Sequence, residues 1–455
     1  MHYRNALRLM ACTTLSTLAV AVPLANAAVS VEEAQALGKT LTPLGAEIAG
    51  NLAGSIPAYT GKTPLAPAGF IPGSGIRPDP FAADQVKFSI TAANLEQYAG
   101  QLTEATKELL RRYPQSYRVD VYPTRRSMTF PQSVLDTTRK NATTISSKQD
   151  GLVLDGGYGG YPFPIPKTAY EVMWNHLTRY SGQGFEVKAK NLIVDASGHP
   201  SLSTTAKLNV EYPYYQPSAV DSGNYYRIRV NYTAPARRAG EQLLVVEALN
   251  TLETGRRAWI YLPGQRRTKL APDVAYDTPD PANGGSTTYD DTFVFNGAMD
   301  RYDFKLLGKK ELYIPYNNYK LVYQSNSAQL LQPEHLNPDL VRWELHRVWV
   351  VEATLKPDQR HVYERRTFYI DEDSWLAVAS DSYDKRGQLF RTVFAHATSS
   401  YDVKAIYADT QSSYDFTTGM YTLGMYSAED GGVKYIDKLP ETRWSAESLA
   451  SAGIR

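Results

Sequence analysis

Apolar and polar positions alternate through three successive runs between residues 347 and 394: RVWVVEATLK, HVYERRTFYID and SWLAVASDSYDKRGQLFRTVF. In the first, Trp349, Val351, Ala353 and Leu355 fall on one side and Val348, Val350, Glu352 and Thr354 on the other, the two-residue period of an antiparallel sheet. The third run turns back at residues 384 to 387, where Gly387 tolerates positive φ. Strand patterns also fill residues 185 to 270, as FEVKAKNLIVD, LSTTAKLNVEY, YYRIRVNY, EQLLVVEAL and RRAWIYLPGQRRTKL. A polar, Gly-rich segment, then YDDTFVFNG and KLLGKKELYIPY, lead into the meander, and YRVDVYP at 117 to 123 is a further strand.

Helical signals are fewer. Ser30-Val31-Glu32-Glu33 is a capping box that opens a short helix through about Leu37. Residues 89 to 113 carry Leu95, Tyr98, Leu102, Leu109 and Leu110 at roughly helical spacing, with a break near Gly100. TAYEVMWNHLTR at 168 to 179 predicts an amphipathic helix. Residues 52 to 82 repeat Pro and Gly and predict an extended arm, and GGYGGYPFPIP at 156 to 166 is irregular because its three prolines remove amide donors.

The first 27 residues change the picture. Arg4 and Arg8 precede an uncharged apolar stretch from Leu9 to Leu24, and Ala25-Asn26-Ala27 has the form of a cleavage site before Ala28. A secretory leader of this form would remove Cys12, the one cysteine, leaving no thiol nucleophile or disulfide framework. It would also remove two arginines and bring the formal net charge from +1 to about −1. That balance gives no electrostatic case for nucleic-acid binding. With no later run of about 18 apolar residues, the expected product works dissolved in the periplasm. The 43% hydrophobic content and 33 tyrosines suit a β-rich chain with a large core.

Catalytic patterns are thin. Gly73-Ser74-Gly75 lacks the spacing of a nucleophile elbow, and GGYGG lacks the last glycine of a dinucleotide loop. The histidines at 176, 199, 335, 346, 361 and 396 include no pair spaced by four and no H-E-x-x-H. His176, beside Trp174 and Asn175, reads as a structural histidine, and Asp371, Glu372 and Asp373 as turn residues rather than a calcium site. Six adjacent arginine pairs, at 111-112, 125-126, 237-238, 256-257, 266-267 and 365-366, read as solvated or salt-bridged surface residues. No cofactor, metal or enzymatic activity is expected.

The signature Y-I-D-E-D-S-W-L…Y-D-K-R-G-Q-L at 369 to 389 resembles the closing strands of bacterial outer-membrane lipoprotein-sorting proteins of the LolA and LolB type. RRAWIYLPGQRRTKLAP and DDTFVFNGAMDRYDFKLLGKK resemble that superfamily's middle strands. TPLGAEIAGN, SIPAYTGK, YRVDVYPTRR, GGYGGYPFPIPK and VMWNHLTRY resemble a large proteobacterial branch of periplasmic proteins, a domain of unknown function with that fold. The resemblance implies a β-rich α+β fold, a curved antiparallel sheet forming a half-open β-barrel with covering helices and a long N-terminal arm. The chain divides accordingly into a leader (1–27), N-terminal helices and arm (28–150), a half-barrel core (151–400) and a C-terminal extension (401–455). It further implies a non-enzymatic periplasmic carrier for a lipid or other amphiphile, working with an exporter of the resistance-nodulation-division kind and an outer-membrane protein. A structural adaptor between those membranes is the alternative, and an envelope lipid hydrolase a third. Trp259, Tyr261, Trp349, Phe368 and Trp375, on the strands concerned, are the candidate ligand-binding residues, with core packing as the competing role. Alternation leaves open whether Trp259 with Tyr261 or Ile260 with Leu262 faces the cavity.

Overall fold

The computed structural model describes residues 29–216, 223–272 and 274–452. The leader expected at 1 to 27, with Cys12 and the cut before Ala28, lies outside the described residues.

Sixteen strands of the described residues form one sheet. β1 (Phe88–Ile90) pairs with β2 (Val119–Val121), while β3 (Ser146–Lys148) and β4 (Val153–Asp155) make a separate hairpin. β5 (Gly184–Val194), β6 (Pro200–Glu211), β7 (Asn224–Ala234), β8 (Gln242–Ala248), β9 (Arg257–Leu262) and β10 (Arg267–Leu270) follow as antiparallel neighbours. β11 (Tyr302–Pro315), β12 (Trp343–Leu355), β13 (Arg365–Asp371), β14 (Ala377–Tyr383) and β15 (Leu389–Ala395) form the second meander. After the small hairpin of β16 (Thr398–Ser400) and β17 (Ala405–Tyr407), β18 (Gln411–Asp415) and β19 (Tyr421–Tyr426) splice the two meanders in the order β15-β18-β19-β5. β20 (Val433–Tyr435) pairs with the start of β5. Among the described residues no pairing joins β10 to β11 or β1, so the sheet is an open one, as expected.

The sheet is strongly curved. Seven strand steps separate β7 from β13, roughly 34 Å on a flat sheet at about 4.8 Å per step. Yet Phe293 meets Tyr226 of β7 at 5.5 Å between ring centroids, and Phe295, two residues on, meets Phe368 of β13 at 5.2 Å. One short segment touches both only because the sheet wraps around it.

The helices show where periodicity and packing part company. α1 (Val31–Ala34) carries the expected capping box, with Ser30 and Glu33 bonded reciprocally at 3.1 Å. The helix expected across 89 to 113 is shorter and divided. Residues 88 to 90 are β1, α2 (Leu95–Tyr98) runs into a tight turn at Ala99–Gln101, and α3 (Glu104–Arg112) starts afresh at the Thr103 cap. Asp381 of β14 accepts the first amides of α3, from Glu104 at 2.9 Å and Ala105 at 3.2 Å, which pins that helix to the sheet. α4 (Gln132–Thr144) has no apolar periodicity in the sequence. It buries Thr138 and Asn141, whose side chains bond the backbone of 160 and 161. α5 (Ala169–Leu177), expected to be amphipathic, is buried on nearly every side, from Glu171 through Leu177, because it plugs the concavity against β11 and β12. YDDTFVFNG, met among strand patterns, is a tight helical turn at Tyr289–Asp291 followed by a coil that plugs the same concavity. At the end of the chain, helix Ala446–Ala452 lies on the outer face, where Leu449 and Trp444 pack on Leu244, Val246 and Tyr261.

Candidate functional site: an apolar cavity under an inserted cover

The alternation of β7 fixes the site. Tyr226, Ile228, Val230 and Tyr232 point into the concavity, while Arg227 and Arg229 point out. Outside, Arg227 pairs with Glu211 at 2.7 Å and Glu441 at 2.7 Å, and Arg229 bonds Gln242 and Ser448. Cross-strand partners continue the inner face through Leu208 of β6 and Leu243 and Val245 of β8. Val274, Ala282, Tyr289 and Asn296, on the connection between β10 and β11, roof this face. Between wall and roof lies a cavity of about 150 Å³. An apolar cavity of roughly this size takes up benzene in an engineered protein.

Three buried polar atoms on the cavity-lining residues lack a partner: Asn283 Oδ1, Gln411 Nε2 and Tyr226 Oη. Apolar walls with a few unspent polar groups are the usual makeup of a small-molecule site. The arm at 52 to 82 contributes nothing to the lining; the cover is the 274–296 segment. Arg77 anchors the arm elsewhere, paired with Asp402 at 2.7 Å and bonded to the Val433 carbonyl at 3.0 Å.

The cover is held by buried charge. Arg366, fully buried, donates to Asp290 at 2.8 Å and Asp291 at 2.6 Å, and Tyr363 adds a 2.7 Å bond to Asp291. Burial alone would raise the Asp290 carboxyl, but Arg366 and His361 outweigh it and hold it well below the usual range. Half-buried Asp280 caps the tight turn at Pro281–Asn283, and burial pushes it up to about 6. A folded-state value above the unfolded one means stability that is complete below about pH 4 and lost as pH rises through 6. Asp280→Asn should therefore flatten stability between pH 4 and 7, removing a slope of about 1–2 kcal/mol after solvent screening. Urea midpoints of both proteins at pH 4, 5.5 and 7 check this, and parallel profiles would contradict it.

None of the five aromatic residues singled out in the sequence lines this cavity. Trp259 and Tyr261 face the outer side under the C-terminal helix, while Ile260 turns inward with Ala258. Phe368 is on the inner face but buried against Phe295 and Arg366. Trp349 stacks on Trp375 at 6.0 Å, and Trp375, in a left-handed backbone conformation at φ 58°, donates from Nε1 to the Leu44 carbonyl at 2.8 Å. The structure thus brings Trp349 and Trp375 together as a seat for the N-terminal segment. The aliphatic residues of β7 and β8 form the wall instead. The signal was present in YRIRVNY, where two arginines mark the outer face.

Asp371, Glu372 and Asp373 do stand at the turn that ends β13, as expected, but all three are buried. Arg126 grips both oxygens of Asp373, at 2.6 and 2.8 Å, and donates to the Glu47 carbonyl. Lys309 and Arg347 pair with Glu372 at 2.8 and 3.3 Å. Arg126 and Arg366 likewise overturn the surface reading of their arginine pairs, because strand neighbours such as Arg365 and Arg366 point to opposite faces. His346, Asp371 and Asp373 place one ligand atom each within 4.8 Å of one another, close enough for a metal ion. The Arg126 guanidinium already occupies both Asp373 oxygens, and the neighbouring cations balance the acids, so the cluster works as an ion-pair clasp. His176 is held at both nitrogens, by the Phe295 carbonyl and the Ala377 amide, and burial pushes it down to about 3.

An open, curved antiparallel sheet that encloses an apolar cavity under an inserted cover defines the class of this protein. Residues 89–450 match the DUF1329 family, described as a protein of unknown function, and the chain belongs to that family. It is 42% identical over 449 residues, 97% of each chain, to the uncharacterized protein PA3922 of Pseudomonas aeruginosa. Among solved structures it is similar to a DUF1329 family protein from Desulfovibrio piger, with TM-score 0.41 and 17% identity over 59% of this chain and 91% of that one. It is also similar to a putative outer membrane lipoprotein-sorting protein domain from Vibrio parahaemolyticus, with TM-score 0.43 and 17% identity over 62% and 97%.

Proposed function

We propose that this protein binds the apolar part of a lipid or similar amphiphile in the cavity beneath residues 274–296 and carries it through water. The cavity itself carries the reading: a wall of Leu208, Ile228, Val230, Leu243 and Val245 under an inserted roof, with spare polar atoms on Asn283, Tyr226 and Gln411. Each ligand methylene moved from water into such a space gains about 0.8 kcal/mol, so transport needs no covalent chemistry. The space takes a short apolar group as it stands, and a longer chain requires the cover to shift. The leader pattern supports the periplasm as the place of this work, and an inner-membrane exporter and an outer-membrane protein are the partners this reading assigns.

Leu208→Trp and Val245→Trp fill the cavity from two strands. Both should weaken binding of a fluorescent fatty-acid probe at least about tenfold, 1.4 kcal/mol, while Trp259→Ala on the outer face leaves it unchanged. Fluorescence titration with urea midpoints as the folding control decides. A wild-type protein that binds no probe, or filled variants that bind it equally well, would overturn the reading.

A further inference from the structure

We infer that the buried polar group behind the cavity wall at Tyr226 is a subsite for an acidic head group, a carboxylate or phosphate on the amphiphile, with Arg179 as its cation; this rests on the carrier reading above. Arg179 follows α5 and is 2% exposed. Its guanidinium makes one hydrogen bond, from Nη1 to the His176 carbonyl at 3.2 Å, while Nε and Nη2 have no partner. No carboxylate lies within ion-pair distance of it among the described residues. The other buried arginines are provided for: Arg77, Arg126, Arg227, Arg342, Arg347 and Arg366 each pair with an acid, and Arg229 makes four bonds to neutral acceptors. A buried, unpaired cation is costly unless a partner arrives.

Its surroundings repeat the pattern. The guanidinium lies 4.4 Å over the Phe293 ring, Phe293 meets Tyr226 at 5.5 Å, and Tyr226 meets Tyr212 at 5.7 Å. Both tyrosine hydroxyls lack a partner. Asp409, 1% exposed, has no partner at Oδ2; burial pushes it up to about 7, and Arg179 is the charge that pulls it back. Tyr226 belongs both to this group and to the cavity wall, so it connects the polar end to the apolar one. Two free guanidinium nitrogens in a plane fit two oxygens of one anion, and the tyrosine hydroxyls can donate to the same group. Asp409 in its protonated form adds another donor, whereas ionised it competes for Arg179.

The test pairs probes of one tail length: dodecanoate and dodecyl phosphate against dodecanol, with inorganic phosphate alone as the free anion. Wild-type protein should bind either acid at least about tenfold more tightly than the alcohol, and inorganic phosphate far more weakly. Arg179→Met should abolish the preference, leave dodecanol binding in place and unfold at no lower urea concentration. Asp409→Asn should keep or increase the preference. No binding of any tailed probe defeats the carrier reading itself. Equal binding of acid and alcohol by the wild type, a preference that survives Arg179→Met, or inorganic phosphate binding as tightly as dodecyl phosphate overturns the head-group subsite alone. Should Arg179→Met fail to fold, the wild-type comparison still decides, and Tyr226→Phe, expected to reduce the preference in part, replaces it.

Discussion

Arg366→Ala should destabilise the protein by about 3–5 kcal/mol, a large part of the 5–15 kcal/mol typical of folded proteins. The side chain is fully buried and is the cation facing both Asp290 and Asp291, so truncation strands two carboxylates in the interior. Its stacking on Phe368, Tyr363 and Phe295 is lost as well. The loss should fall first on the cover, because residues 290 to 294 are tied to β13 through this one side chain. Urea unfolding measures it. The triple variant Arg366→Met, Asp290→Asn, Asp291→Asn should recover most of the stability, since a buried ion pair replaced whole by neutral groups is close to neutral. A single variant within about 1 kcal/mol of wild type would show that the charges are solvated and the cover is held by its aromatic residues instead.

Arg126→Ala should have the next largest effect, and a more local one. This guanidinium holds Asp373, the Glu47 carbonyl and the face of Tyr59 together, so it ties the N-terminal segment to the turn between β13 and β14. Removing it leaves buried Asp373 without its cation, again about 3–5 kcal/mol. Because Trp375 and Arg347 still bond the carbonyls of Leu44 and Ala49, the segment should loosen rather than the whole sheet unfold. Limited proteolysis is the measurement: residues 44 to 59 should be cut at least ten times faster in the variant, with the global urea midpoint moved less than for Arg366→Ala. Unchanged cutting would mean that Trp375 and Arg347 suffice alone.

The chain's sequence determined the strands, and for a physical reason. A two-residue period can satisfy only one sheet geometry, so RVWVVEATLK and YYRIRVNY could be placed without knowing their neighbours. Local chemistry was equally legible where a few bonds close on themselves, as in the Ser30–Glu33 capping box and the turn at 384 to 387, where Gly387 takes φ 73°.

The tertiary structure alone decided which face is concave. In RRAWIYL both Trp259 and Ile260 are apolar, and the choice fell to the C-terminal helix, which covers Tyr261 and leaves Ile260 inside. It also decided how α4 packs, since its buried stripe mixes Val134 and Ala142 with the polar Thr138 and Asn141, whose side chains bond the backbone of residues 160 and 161. The buried charges were beyond sequence reasoning for the same cause. Arg366 and Asp290, or Arg126 and Asp373, lie far apart along the chain, and an arginine reads as a surface residue until the fold supplies an acid for it. The five aromatic residues pack the sheet's two faces, while the cavity falls to aliphatic positions whose role depends on a roof 29 residues or more away in the chain from the wall it covers.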